Sequence, residues 1–451
     1  MNWIMKEKED GEMYNYFSKL NKIIGDERRY ENLVMMLLAL FIGIITGATA
    51  IAFNKLVDIF RYIFFESSFL KFNTFVKLRL FFTPIIGGSI IGIINKLFLD
   101  KKDEGFGVAR VFQELKHINK FLMKPRLVFI KITQTIITLG SGLSAGRQGP
   151  IIHLGGAIGS VIGYKFNFTK RKLRILIGCG VAGSIAGVFN APIAASLFVL
   201  EILMNKECLE YFAPIVISSI TSVIITRILI GDTAFLEIKG HFGLVNYKEL
   251  IFYIILGILL GIVGVFYMKS IDYVKENIRK IKVSSVFYPI IGAFGVAIIG
   301  YFLPQIFDIE YGTINKIVEG NFGLRLLILL FLGKIFATAL TIGSGGVGGV
   351  FVPGIYIGAA FGGIFGIILN NLIPFAIFNI NTYSLVGMGT MFSAFANAPI
   401  TATIILLELT DNYTIILPIL LSCAVSSVTT QLIAQRTIYN VTIEDIYDKE
   451  A

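Results

Sequence analysis

The chain has 451 residues, of which 55% are hydrophobic and only 16% charged. A soluble chain is usually about 45–50% apolar and about 25% charged, so this balance excludes disorder, a collagen-like repeat and a disulfide scaffold. It leaves a polytopic membrane protein, with room for roughly ten to fifteen segments at about 20 apolar residues per crossing.

The net charge of +10 comes from 40 Lys+Arg against 30 Asp+Glu. The cations lie in short connections such as 165–174 and 275–282 rather than on one soluble face. No nucleic-acid partner is therefore expected. Cationic loops between apolar segments are typical of inner-membrane proteins and raise the local concentration of anions near a pore mouth. The three cysteines, Cys179, Cys208 and Cys423, are scattered and show neither a disulfide framework nor a metal spacing. No metal and no cofactor is expected.

Residues 1–32 carry mixed charge without a signal-peptide core, which suggests an interfacial, partly helical cytoplasmic segment. Apolar segments follow at 33–53, 80–99, 126–140, 149–164, 174–204, 211–230, 249–268, 286–304, 322–342, 350–372, 383–409 and 415–434. The chain ends at Ala451, so no soluble domain is expected after the last segment. The stretch 140–163 is broken by nine residues: Gly140, Gly142, Gly146, Gly149, Pro150, Gly155, Gly156, Gly159 and Gly163. Broken helices at membrane depth survive only where their backbone faces protein or a water-filled cavity. A site inside the bilayer is therefore expected there.

An internal repeat supports that expectation. Moving 131–163 onto 334–366 gives fourteen identities without a gap, among them Lys131/Lys334, Thr135/Thr338, Thr138/Thr341, Gly140/Gly343, Ser141/Ser344, Gly142/Gly345, Gly146/Gly349 and Pro150/Pro353. A second block, Asn190-Ala191-Pro192-Ile193, repeats as Asn397-Ala398-Pro399-Ile400, with Glu201 against Glu408 further on. Polar residues keep register along with the glycines, so this is a duplication and not shared low complexity. We divide the chain into an N-terminal segment 1–32, membrane repeats 33–230 and 231–436, and a C-terminal helix and tail 437–451. Two halves with matching broken segments are the pattern of a transporter fold whose site lies near the midplane. Sequence alone leaves open whether the halves are inverted or parallel.

Each break runs glycine-rich turn, proline, small-residue helix. Proline suits the first helical turn, where its missing N–H costs nothing. A helix that starts inside the membrane aims its amides and positive dipole end into the site, and two such ends make an anion site. Asn190 and Asn397, each two residues before a proline, suggest two further helix starts with asparagine as the cap. Lys131 and Lys334 sit within apolar segments, and an intramembrane cation is a functional candidate whose sign suits an anion. Its alternative is a structurally paired lysine. Glu201 and Glu408 lie near segment ends and read as structural or interfacial.

The run Gly142-Leu143-Ser144-Ala145-Gly146 matches the G-x-S-x-G nucleophile pattern. A hydrolase also needs a base and an orienting acid. The only histidines are His117, His153 and His241, and the repeat partner of Ser144 is Val347. An intramembrane enzyme is rejected, and no catalytic residue is assigned. His153, opposite Tyr356 in the repeat, reads as a packing residue.

The runs Gly146-Arg147-Gln148-Gly149-Pro150, Gly349-Val350-Phe351-Val352-Pro353, Phe189-Asn190-Ala191-Pro192 and Glu408-Leu409-Thr410-Asp411-Asn412-Tyr413, with Tyr439 beyond the last apolar segment, carry a family likeness. Over about 33–445 the chain resembles the CLC chloride channel and transporter family, in its prokaryotic form without C-terminal CBS domains. The resemblance implies an all-α polytopic fold of two inverted repeats with broken and re-entrant helices. It implies a homodimer in a bacterial cell membrane, with one pathway per subunit for chloride or another monovalent anion. It also implies an anion held by backbone around Gly105, Phe106 and Gly107, around Gly146, Arg147, Gln148 and Gly149, and around Gly349, Val350 and Phe351, with the Tyr439 hydroxyl.

Three departures stand out. Gln148 occupies the place of the family's gating glutamate, with nearly the same shape but no titration. Ile202 stands where exchangers carry an inner proton-accepting glutamate. In Gly105-Phe106-Gly107-Val108-Ala109, Phe106 replaces a serine and Ala109 a proline, which removes a hydroxyl donor. The sequence therefore points to passive, channel-like anion transport. The alternative is a chloride/proton antiporter that uses other proton-accepting groups, for instance Glu201.

Overall fold

The structure is a computed structural model and describes residues 27–66, 76–99, 107–118, 123–204, 208–231, 242–244, 246–307, 311–373 and 378–439. Gly105, Phe106 and most of the segments 1–32 and 437–451 lie outside the described residues.

The described residues fold almost wholly as helix. In chain order these are α1 (Glu27–Arg61), α2 (Val76–Phe98), α3 (Val108–Lys116), α4 (Pro125–Gly140), α5 (Gln148–Lys165), α6 (Lys170–Phe189), α7 (Pro192–Phe198), α8 (Cys208–Ile230), α9 (Leu250–Lys280), α10 (Phe287–Phe302), α11 (Gly312–Val318), α12 (Leu324–Gly343), α13 (Phe351–Leu372), α14 (Ile380–Ala396), α15 (Pro399–Thr410) and α16 (Ile416–Ala434). Among the described residues, eight helical spans are long and apolar enough to cross a membrane, and three shorter apolar helices accompany them.

Two expected segments prove to be pairs. The run 174–204 breaks at Asn190 into α6 and α7, and 383–409 breaks at Asn397 into α14 and α15. Hydropathy cannot register a break whose residues are themselves apolar or small. The asparagines also act differently from expectation. Both adopt the left-handed conformation, φ +55° and +56°, and end the helix behind them. Ala191 and Ala398 stand at the caps of the helices ahead, and neither makes a side-chain capping bond. Asparagine tolerates this conformation because its short polar side chain bonds locally. Here Asn190 Oδ1 accepts from Arg227 Nε at 2.9 Å, and Asn397 Oδ1 accepts from Ser427 Oγ at 2.5 Å and Gln431 Nε2 at 2.6 Å. The short α3 and α11 were not anticipated.

The chain forms two compact units. The first comprises Met1–Ile51, Arg110–Val128 and Ile152–Thr233. Its centre is α6, buried from Ile175 to Phe189, as befits a helix apolar on all sides. It crosses α5 where Gly155 and Gly180 meet. A β-carbon on either would fall 2.1 or 1.9 Å from the other's carbonyl oxygen. A buried carboxylate, Glu114, accepts from Ser160 Oγ at 2.7 Å and from the Met123 N–H at 3.2 Å.

The second unit comprises Ala52–Ala109, Phe129–Ile151 and Ala234–Ala451. Inside it α13 and α14 cross in the same manner, with Gly358 and Gly387 at 2.2 and 2.3 Å in the same test. The repeat visible in sequence is thus also a repeat of backbone approach. Outward faces of α1, α2, α8, α9, α10 and α16 expose large apolar residues such as Phe41, Phe82, Ile228, Phe266, Phe302 and Leu432. Such faces suit lipid and not water. The protein is a multi-pass integral membrane protein.

Candidate functional site

The second unit contains both glycine-proline breaks, and they are built alike. At the end of α4 the Leu143 N–H donates to the Thr138 carbonyl at 3.1 Å and the Gly142 N–H to Leu139 at 3.2 Å. At the end of α12 the Gly346 N–H donates to Thr341 at 2.9 Å and the Gly345 N–H to Ile342 at 3.1 Å. These are paired Schellman closures with glycine left-handed just past the helix, at φ +81° for Gly142 and +101° for Gly345. The repeated hydroxyls serve the same turn. Thr138 and Thr341 bond back four residues at 2.8 Å, and Ser141 and Ser344 bond back three at 3.2 Å. Polar residues shared by the two halves therefore serve both helix ends.

The breaks then meet. The Gly146 N–H donates to the Gly349 carbonyl and the Gly349 N–H to the Gly146 carbonyl, both at 2.7 Å, in antiparallel sense. This corrects the expectation that these two amides face a ligand, since each is spent on the other. What remains are the first-turn amides of Gln148 and Gly149 in α5 and of Phe351 and Val352 in α13, which by helix geometry have no acceptor within their own helix. Backbone crowding is close. An ideal β-carbon on Gly349 would lie 2.7 Å from the Gly149 nitrogen, and one on Gly107 (φ +65°) 3.2 Å from the Gly149 Cα. Ser144, the serine of the nucleophile-like run, lies at the same junction. Its N–H donates to Thr341 Oγ1 at 3.1 Å, and its hydroxyl shares a 2.8 Å bond with Thr338. It is a cross-brace between the breaks.

Gln148 opens α5. The residue is 5% exposed, and neither Oε1 nor Nε2 has a hydrogen-bond partner among the described residues. Buried amides are normally satisfied, so this carboxamide keeps unused hydrogen-bonding capacity at the start of α5. Arg147 beside it is held from α1, with Nη2 to Asp58 at 2.9 Å and Nη1 to Asn54 at 3.3 Å. Sequence reasoning missed Asn54 and Asp58, about ninety residues away and without a motif.

Phe351 is buried against the edge of Phe392, with centroids 4.6 Å apart. Phe392 touches Phe395 at 5.5 Å, and the Phe395 carbonyl accepts from the Ile438 N–H at 2.9 Å. Through this series the buried Tyr439 is tied to the helix that packs on Phe351. Burial pushes its phenol above the ordinary value. Tyr267 on α9 was also missed. Its hydroxyl donates to the Val350 carbonyl at 3.2 Å, just ahead of α13.

Lys131 and Lys334 are both buried. The Lys334 ammonium donates to the Ile306 carbonyl at 2.8 Å and stands 4.8 Å from the Tyr356 ring centroid, a cation–π contact. His153 is fully buried on α5. Ile202 is buried in a π-turn, Val199–Leu203, that extends α7, and Glu201 beside it is half-buried. Among the described residues, no group of three or more His, Cys, Asp or Glu could hold a metal. Two dipole-bearing helix starts pinned side by side, rimmed by glycine backbone, offer recognition of a small anion.

Comparison with known proteins agrees with this chemistry. Residues 87–431 match the voltage gated chloride channel family. The chain is 31% identical over 322 residues to the H(+)/Cl(-) exchange transporter ClcA of Vibrio parahaemolyticus, covering 70% of this chain and 69% of that protein. It is 28% identical over 425 residues to ClcA of Vibrio cholerae, covering 90% and 88%. Among solved structures it resembles a slow cyanobacterial Cl−/H+ antiporter, with 25% identity, a TM-score of 0.76, and coverage of 92% of this chain and 99% of that one. The chain belongs to the voltage-gated chloride channel family, whose members transport anions across membranes and are not enzymes.

Proposed function

We propose that this protein carries chloride or a similar monovalent anion passively, as a channel-like pathway. The observation that carries this reading is Gln148, whose buried carboxamide, without a hydrogen-bond partner among the described residues, heads α5 beside the paired glycines. In this reading the anion is held by amides of Arg147, Gln148 and Gly149 and of Val350 and Phe351, with Gly105, Phe106, Gly107 and the Tyr439 hydroxyl completing the path. Gly146 and Gly349 hold the two helix starts together, and Lys131 and Lys334 supply positive potential from a distance. A carboxylate gate can displace the anion when ionised and carry a proton when neutral. Gln148 can do neither, and Ile202 interrupts the inner proton route. A homodimer of two such pathways, each built from repeats 33–230 and 231–436, belongs to the same proposal.

A second reading is favoured by the relatives named above, which are described as H(+)/Cl(-) exchange transporters. In that case another group, such as half-buried Glu201, accepts the proton. One experiment separates the two. Proteoliposomes with a chloride gradient at symmetric pH should show anion flux with little uphill proton movement, and stoichiometric proton pumping would reject the passive reading.

A further inference from the structure

The segment 435–439 that presents Tyr439 is short and held at defined points. Gln435 ends α16 in the left-handed conformation, φ +51°, which turns the chain away from the helix axis. The next residue, Arg436, donates from Nη2 to Asp272 Oδ2 on α9 at 2.6 Å. Two residues on, the Ile438 N–H donates to the Phe395 carbonyl on α14 at 2.9 Å. Tyr439 follows directly and is buried. One tether is charged and runs to α9, and the other is neutral backbone and runs to α14.

The charged tether has a particular anchor. Asp272 lies five residues after Tyr267 on α9, about 7.5 Å along the axis, with no glycine or proline between them. Tyr267 in turn bonds the carbonyl of Val350 at 3.2 Å. One uninterrupted stretch of helix thus holds both the start of α13 and the strap that carries Tyr439. An arginine–carboxylate bond is directional and among the stronger hydrogen bonds. Both partners keep some contact with solvent, at 38% and 22% side-chain exposure, so the pair can open without burying a lone charge.

We propose that Asp272 and Arg436 form a latch, and that Asp272 is a positioning residue that holds the Tyr439 hydroxyl in the anion path at a set distance from the start of α13. The proposal rests on the reading above that Tyr439 lines that path. Opening the latch removes the charged tether from the strap and leaves the Ile438 backbone bond in place. The hydroxyl then spends less time facing the anion, and binding weakens while the rest of the pathway stays intact.

The test uses the full chain in proteoliposomes and two readouts. The first is the chloride concentration for half-saturating flux. Asp272→Asn and Arg436→Gln should each raise it about fivefold, the upper range of an exposed ion pair. Asp272→Glu and the charge-swapped double variant Asp272→Arg/Arg436→Asp should restore it, and Asp272→Asn should add nothing in a Tyr439→Phe background. The second is maleimide labelling of Tyr439→Cys, which Asp272→Asn should accelerate about fivefold. Unchanged labelling, or additive effects of Asp272→Asn and Tyr439→Phe, overturns the latch. If labelling accelerates but Tyr439→Phe leaves saturation untouched, the latch holds the strap and the reading of Tyr439 as a ligand is overturned instead.

Discussion

Gly146 and Gly349 are bonded to each other by both of their peptide groups, N–H to carbonyl in each direction at 2.7 Å. Neither helix start can shift without breaking the pair or dragging the other along. The break in the first repeat and the break in the second therefore act as one rigid element.

Gly349→Ala should lower flux more than tenfold. Its new methyl would stand 2.7 Å from the Gly149 nitrogen and 3.4 Å from the Gln148 nitrogen, in the space those amides face, and overpacking of this kind costs about 1–3 kcal/mol. Gly349→Leu should abolish flux. Chloride efflux from proteoliposomes, with size-exclusion elution as the check on folding, decides it, and unaltered efflux from folded Gly349→Leu would remove these helix starts from the pathway.

Restoring a carboxylate with Gln148→Glu should introduce acid-activated flux without full exchange. A carboxylate at the buried α5 start is drawn by the same amides as the anion, so it competes when ionised and withdraws when protonated. On the proposed reading, Ile202 still interrupts the inner route. Chloride and proton fluxes recorded together across pH 4–8 test this, and tight proton coupling in the single variant would contradict the role given to Ile202.

The phenol of Tyr439 is held above its ordinary range by burial. A group shifted upward keeps its proton at a pH where free tyrosine, with a value of about 10, would lose it. The hydroxyl thus stays a donor, and flux should show no inflection as pH rises through about 10. Tyr439→Phe should weaken chloride binding about tenfold, the scale of a hydrogen bond to a charged group. An inflection near that pH, absent from Tyr439→Phe, would mean that the phenol ionises in place.

Phe106→Ser should raise the preference for chloride over nitrate. The substitution returns a hydroxyl to a position where the family resemblance puts one beside the anion, and a directed donor favours the smaller, more strongly hydrated ion. Reversal potentials under mixed-anion conditions report the change. Equal preference before and after would take Phe106 out of the selectivity argument.

Ser144→Ala should leave a folded, active transporter that is less stable by about 1 kcal/mol, the net worth of a buried hydrogen bond. The lost bond is the 2.8 Å brace to Thr338. Thermal melting in detergent measures the loss, and abolished transport at full stability would show that the serine does more than brace.

Much of this was readable in the amino-acid order because duplication leaves matched residues in register. Thr138 with Thr341, Ser141 with Ser344 and Gly142 with Gly345 announce two equivalent helix ends before any coordinates are seen. The partners of those ends were not readable. That Gly146 spends its amide on Gly349, or that Ser144 reaches Thr338, depends on contacts about two hundred residues apart, and periodicity carries no information about such distances. Asn190 and Asn397 were recognised as punctuation but assigned to the wrong helix. A capping asparagine and a left-handed one look the same in sequence and differ only in φ. Asp58, Tyr267 and Asp272 escaped for a simpler reason: each belongs to a long helix and gains its role from what packs beside it.

Lys334, pinned between the Ile306 carbonyl and the Tyr356 ring, bears on how the protein responds to voltage. Charge that moves through the membrane field is worth about 2.3 kcal/mol per elementary charge at 100 mV, whereas charge that stays in place does no electrical work. Lys334 is tethered, Arg147 is tied to Asp58 and Asn54, and Gln148 has no charge to displace. On the proposed passive reading, the permeating anion carries the moving charge at this site, and membrane potential acts on the ion rather than on these side chains.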